Sequence, residues 1–105
     1  MSGAAALVEE LAAGARSPGA LERVLGARSF PAVGEGWALF AFRGPADEVK
    51  LHHWVHGLRS ARPFERVAGT ELWTLEMEIQ ESARVEYKLE VVRAGQRQLI
   101  LDPLN

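Results

Sequence analysis

Two stretches late in the chain alternate strictly between apolar and polar residues, and this alternation constrains the fold more than any other feature. Residues 72–79 place four apolar side chains on one side of an extended chain, namely Trp73, Leu75, Met77 and Ile79. Residues 84–92 repeat the pattern with Val85, Tyr87, Leu89 and Val91. A period of two is typical of strands that bury one face and expose the other. The pattern therefore predicts two strands with one apolar face each, and the intervening Thr74, Glu76 and Glu78 are expected in solvent.

Three further regions carry the same signal. Phe40 and Phe42 share one face of a strand that begins near Trp37, and residues 44–47 supply turn chemistry after it. The next strand, 49–55, is expected to turn Val49, Leu51, His53 and Val55 inward, with Lys50, His52, Trp54 and His56 opposite. We expect residues 60–63 to form a loop, residues 64–67 a short extended piece, and residues 93–96 a hairpin turn to 98–101. Six or so short strands at this spacing predict a β-sandwich.

The N-terminal region has helical spacing instead. Leu7, Val8 and Leu11 predict a short helix over residues 4–13. Ser17 and Pro18 are suited to begin a second helix, which Gly26 is suited to end. We therefore expect a mainly β chain with a helical arm over residues 1–30 and a sandwich over residues 31–105. The arm is interpreted either as packing on the sandwich or as a surface for dimerisation or a partner.

Composition excludes several classes of function. The 105 residues carry a net charge of -2 and no Lys/Arg cluster, so a nucleic-acid partner is not expected. No apolar stretch approaches the roughly 20 residues that span a membrane, and residues 1–14 lack the features of a secretory signal, so a cytoplasmic location is expected. The chain has no cysteine, which excludes disulfides and thiolate metal sites.

Catalytic and metal-binding patterns are missing from the sequence. No Gly-x-Ser-x-Gly motif surrounds any of the serines, and the strand carboxylates, including Glu86 and Glu90, are interpreted as a solvated face. On a strand, His52 and His53 point to opposite faces, and His52 lies about 13 Å from His56, too far for one ion. We therefore expect no catalytic residue, no metal and no cofactor in this chain.

Aromatic residues on a sheet surface suggest another role. A tryptophan can stack on a sugar ring, and Trp54 lies among polar residues of its strand, whereas Trp73 continues an apolar stripe. The sequence therefore nominates Trp54, with His52 and His56 beside it, as ligand-binding residues, and assigns Trp73 to the core.

Several spaced motifs in residues 20–105 resemble a known accessory domain. The motifs are Gly69-Thr70-Glu71-Leu72-Trp73, Val85-Glu86-Tyr87-Lys88 and Asp102-Pro103-Leu104-Asn105. Together they resemble the N-terminal early-set, immunoglobulin-like domain of enterochelin-esterase-like α/β-hydrolases. The resemblance implies a non-catalytic domain that positions substrate or mediates domain or subunit packing. Its partner in that family is the α/β-hydrolase domain that follows in the same chain.

Two of these motifs, Val85-Glu86-Tyr87-Lys88 and Asp102-Pro103, are similar to part of the pattern of glycogen-binding modules of the family-48 type. This second resemblance implies an α-glucan ligand and makes Lys88 a sugar-contacting residue. Where those modules carry stacking tryptophans, this sequence has Leu58 and Leu99. Two alternatives to the esterase reading therefore stay open: a carbohydrate-binding module that uses Trp54, His52, His56 and Lys88, and a stand-alone homodimeric interaction domain.

Overall fold

The computed structural model describes residues 3–17, 19–26, 30–55, 58–78 and 86–104. Two helices come first in the chain, α1 (Gly3–Ala15) and α2 (Ala20–Gly26). Eight strands follow within these ranges: β1 (Ala32–Gly34), β2 (Trp37–Arg43), β3 (Glu48–Val55), β4 (Leu58–Pro63), β5 (Glu65–Arg66), β6 (Leu72–Glu78), β7 (Glu86–Arg93) and β8 (Gln96–Ile100). Neither described helix is long and apolar enough to cross a membrane.

The strands form two antiparallel sheets, which pack as an immunoglobulin-like β-sandwich. The first sheet has the strand order β1-β2-β6-β5, and the second has the order β4-β3-β7-β8. The predicted sandwich with a two-helix arm is therefore confirmed.

The main core lies between the two sheets. Phe40, Phe42, Trp73, Leu75 and Met77 enter it from the first sheet, and Val49, Leu51, Leu89 and Val91 from the second. Half-buried Tyr87 packs edge-on against Phe40, with ring centroids 4.9 Å apart. These inward faces are the ones that the alternation predicts, and Trp73 is a core residue as expected. Ile79 and Val85 lie outside the described residues.

A second apolar cluster covers the outer face of the first sheet. Leu39 and Ala41 of β2 and Leu72 of β6 are fully buried there, against Leu7 and Leu11 of α1. Strand β2 is consequently buried on both faces, which explains why its sequence is an unbroken apolar run. The predicted helices are confirmed, although the second begins at Ala20.

Two expectations about strand faces and loops are wrong, and one strand was not predicted. Thr74 is only 9% exposed, because α1 lies over this part of β6. Residues 60–63 belong to strand β4, which pairs with β3 at the edge of the second sheet and ends at Pro63. An edge strand can end in proline because the outward side of its backbone needs no hydrogen-bond donor. Strand β1, which was not predicted, pairs with β2 in a hairpin.

The predicted hairpin at residues 93–96 is confirmed. Arg93 pairs with Gln96, and the two residues between them have positive φ angles, 50° at Ala94 and 79° at Gly95. Positive φ at both positions is the geometry of a tight two-residue turn whose twist matches the strands. The carboxylate of Asp47 accepts a hydrogen bond from the backbone N–H of Ala94 at 2.7 Å, which joins this turn to the loop before β3.

Candidate functional site on the outer face of the second sheet

Two of the four nominated ligand-binding residues are cross-strand neighbours. In the pairing of β3 with β7, His52 lies opposite Lys88 and Lys50 lies opposite Glu90. Because directly opposed residues of antiparallel strands point to the same face, these four side chains share the outer face of the second sheet. The fold therefore brings His52 and Lys88 together across 36 positions of sequence.

His52 itself is not the exposed side chain that the sequence predicts. Its Nε2 atom lies 3.1 Å from Oε1 of Glu90, and the two side chains are only 8% and 12% exposed. Glu90, which the alternation assigns to solvent, is thus partly buried, because its carboxylate has a diagonal partner on the next strand. The role of His52 on this face is to hold Glu90 in place, and direct access of a ligand to its ring is limited.

Lys88 remains the accessible cation of the nominated set. Its side chain is exposed, and it stands beside the buried His52–Glu90 pair. An ammonium group offers three hydrogen-bond donors, which suits a ligand rich in hydroxyl oxygens. Leu99 of β8 lies opposite Glu90 and is 47% exposed, so an aliphatic side chain occupies this part of the same face.

The other two nominated residues are only partly described or not described at all. Trp54 pairs with Glu86 in the backbone of the second sheet, one step of the alternation beyond His52. Its side chain lies outside the described part of the structure, as does the whole of His56. Their participation in a site stays a prediction.

His53 points the other way and is buried, as the alternation predicts. Neither ring nitrogen has a hydrogen-bond partner among the described residues. Burial lowers the pKa of His53 below its ordinary value, and the positive charge of Arg62 lowers it further. Since both effects disfavour the protonated ring, His53 is a neutral side chain in the folded protein at neutral pH.

A hydrogen bond joins the last two resemblance motifs. The hydroxyl of Tyr87 donates to Oδ2 of Asp102 at 2.7 Å, and Oδ1 of Asp102 accepts the backbone N–H of Leu104 at 2.9 Å. The carbonyl of Leu104 in turn accepts the N–H of Phe30 at 3.4 Å. The aspartate of this motif therefore has a structural role. Both partners belong to the resemblance motifs, but the sequence alone does not indicate that they touch.

Within the described ranges, no group of three or more histidine, aspartate or glutamate residues is placed to hold a metal ion. The face described above can accept hydrogen bonds through Glu90 and donate them through Lys88.

Comparison with known proteins supports the fold. No protein-family model and no curated protein sequence matches the chain. Solved structures with a similar fold include pullulanase from Paenibacillus barengoltzii in complex with maltohexaose and α-cyclodextrin. It matches at a TM-score of 0.62 and 16% identity, over 90% of this chain and 14% of that one.

A mutant of the same pullulanase in complex with maltotetraose gives a TM-score of 0.60 and 19% identity, over 72% of this chain and 12% of that one. The chain thus spans about one eighth of the length of the proteins it matches. At this level of identity the similarity shows the fold alone, a β-sandwich that also occurs as a small part of a much larger protein.

Proposed function

We propose that this sandwich is a non-catalytic accessory module of a larger hydrolase and that it binds an α-glucan. One observation carries the proposal: nearly the whole chain corresponds in fold to a small part of a pullulanase crystallised with maltooligosaccharides. A module of this size supplies binding or positioning, while a different part of the enzyme supplies the chemistry. The fold alone permits many roles, so the ligand is argued from the surface.

The outer face of the second sheet supports a saccharide ligand. Lys88 is an exposed donor, and Glu90 is an acceptor whose position is fixed by His52. Alternating donors and acceptors on a rigid sheet suit the paired hydroxyls of a sugar ring. Trp54 would add a stacking surface beside them, which is the part of the site that contributes most to affinity for sugars.

Affinity electrophoresis in gels that contain glycogen tests this function directly. We expect the protein to be retarded, and retardation to be reduced in Lys88→Met and in Trp54→Ala. The matched control is Arg66→Met, which removes an exposed cation from the first sheet. Equal migration of the unmodified protein with and without glycogen, confirmed by calorimetric titration with maltohexaose, would contradict α-glucan binding.

A second candidate is the accessory domain of an enterochelin-esterase-like hydrolase, which positions substrate or mediates packing. The hydrogen bond between Tyr87 and Asp102 is compatible with it, because it joins two motifs of that resemblance, although the glucan-binding modules share both motifs. Sequencing the source gene across codon 105 tests this candidate. A frame that continues into a Gly-x-Ser-x-Gly elbow would support it. Continuation into a glycoside hydrolase would exclude it in favour of the glucan module.

A further inference from the structure

A groove of about 600 Å³ lies on the outer side of the first sheet, on the opposite side of the molecule from Lys88. Helix α1 forms one wall, and the end of β4 with the edge strand β5 forms the other. Its volume falls in the range of small-molecule sites. The residues that line it are Ala5, Val8, Glu9, Leu39, Arg62, Pro63, Glu65, Thr74, Leu75 and Glu76.

Four charged side chains surround this groove, and none of them has an ion-pair partner among the described residues. Glu9, Glu65, Glu76 and Arg62 are all exposed. In the described part of the chain, the ion pairs within 4.0 Å join other residues: Glu22 with Arg43, Glu48 with Lys50, and Glu90 with His52. Three acceptor carboxylates and one donor guanidinium are therefore available to a ligand from different sides of the groove.

Thr74 gives the groove a buried polar group as well. Its side chain is 9% exposed and lines the groove between the apolar Leu39 and Leu75. The buried side-chain polar atoms without a partner among the described residues belong to His53 and Trp73, so the Thr74 hydroxyl is not an unsatisfied buried group. It offers a ligand in the groove one group that can both donate and accept a hydrogen bond.

The mixture of three carboxylates and one guanidinium around the groove favours a neutral ligand with both hydrogen-bond donors and acceptors. A cation would pair with the carboxylates but would be repelled by Arg62, and an anion would meet three carboxylates. A neutral polyol can donate to the glutamates, accept from Arg62 and exchange a hydrogen bond with Thr74, since each hydroxyl both donates and accepts. The apolar side chains of half-buried Val8 and exposed Pro63 can contact the C–H face of a sugar ring.

We propose that this groove binds a short segment of a saccharide chain, at a site separate from the outer face of the second sheet. The proposal rests on the function proposed above for its ligand class, but it assigns different residues. In this proposal the helical arm takes part in binding, because Val8 and Glu9 of α1 form one wall of the site.

The test combines residue-level mapping with matched variants of the whole chain. Amide chemical shifts of the unmodified protein are followed by NMR while maltohexaose is added, and affinities are measured by calorimetry. Thr74→Val keeps the shape of the side chain and removes the hydroxyl, so we expect about fivefold or greater weakening, the effect of one lost hydrogen bond. Glu76→Gln and Arg62→Met should also weaken binding.

Each charged variant has a matched control that does not line the groove. Glu78→Gln changes an exposed glutamate of the same strand and face that does not line the groove, and Arg66→Met changes an exposed arginine next to β4. We expect both controls to bind as the unmodified protein does, and the shifts to cluster at residues 5–9 and 74–76. A thermal melt of each variant separates loss of binding from loss of fold.

The outcomes distinguish this proposal from the proposed function. Binding that survives the three groove variants but is lost in Lys88→Met would overturn the groove site and leave the function standing. Binding that is lost in the groove variants and kept in Lys88→Met would support the groove. If the unmodified protein binds neither maltohexaose nor glycogen, the α-glucan function fails, and the groove proposal fails with it.

Discussion

The outer faces of the two sheets of this sandwich are stabilised by different kinds of contact. The first sheet buries Leu39, Ala41 and Leu72 on its outer side beneath the two helices, so its strand β2 is apolar on both faces. The second sheet has no helix over its outer face in the described part of the chain. What is buried there is a polar pair, His52 and Glu90, joined across strands.

The difference shows two ways to stabilise a sheet surface. Apolar burial under a helix is additive and tolerant of geometry, because it depends on area removed from water. A buried histidine–carboxylate pair depends on the positions of particular atoms, so removing either partner removes a specific hydrogen bond. The first face should therefore respond to the size of its side chains, and the second to their chemical identity.

The largest expected effect is on the helical arm. Leu11 is fully buried in the cluster on the first sheet, so Leu11→Ala should lower the free energy of unfolding by about 2 to 5 kcal/mol. Leu99→Ala, which shortens a 47% exposed leucine on the second sheet, should change it by less than about 0.5 kcal/mol. Urea unfolding measures both. Similar small effects would mean that the arm does not stabilise the sandwich.

The polar pair on the second sheet is expected to contribute less. Glu90→Gln keeps the shape of the side chain and removes the charge beside His52, so we expect a loss of about 1 to 3 kcal/mol. The control is Lys50→Met, which breaks an exposed pair with Glu48 at 3.2 Å and should cost under about 1 kcal/mol. If the two losses are equal, burial does not strengthen the His52–Glu90 contact.

The bond between Tyr87 and Asp102 should contribute about 1 kcal/mol, the usual net value of one hydrogen bond. Tyr87→Phe removes the hydroxyl while it keeps the ring contact with Phe40. Chemical unfolding measures the loss. Asp102→Asn in the Tyr87→Phe background then reports the remaining contact with the Leu104 N–H. An unchanged free energy of unfolding in Tyr87→Phe would mean that this hydrogen bond does not stabilise the fold.

The smallest effect concerns the pH dependence of His53. Its pKa is lowered in the folded protein, so between that value and about 6.5 the unfolded chain binds the proton more readily. Stability should be full above pH 6.5 and should fall as the pH drops through that range. His53→Phe should flatten this slope in unfolding experiments between pH 8 and 5.5. An identical slope in the variant would assign the pH dependence to other groups.

The sequence predicted the elements in which apolar residues recur at a regular spacing. Alternation located β6 and β7 and identified their inward faces, and glycine at the turn located the β7–β8 hairpin. It did not locate β4, because Ala61, Arg62 and Pro63 are exposed edge residues without an apolar stripe. The continuous apolar run of β2 could have indicated burial on both faces.

The candidate site was harder to predict because its contacts are distant in sequence. His52 and Lys88 were nominated separately, and strand pairing places them side by side. The burial of His52 depends on Glu90, 38 residues away, and alternation alone assigns both residues to solvent. The groove beside Thr74 was not predicted, since it forms only when α1 packs across β6.

The segment of residues 101–104 links the two sheets through hydrogen bonds. Having left β8 of the second sheet, it is held by Tyr87 of β7 through Asp102, and its Leu104 carbonyl takes the N–H of Phe30, two residues before β1 of the first sheet. A displacement of one sheet relative to the other would stretch both hydrogen bonds. The relative alignment of the two outer surfaces is thereby fixed at this end of the molecule, so ligands on opposite sides would be held at a constant distance and angle.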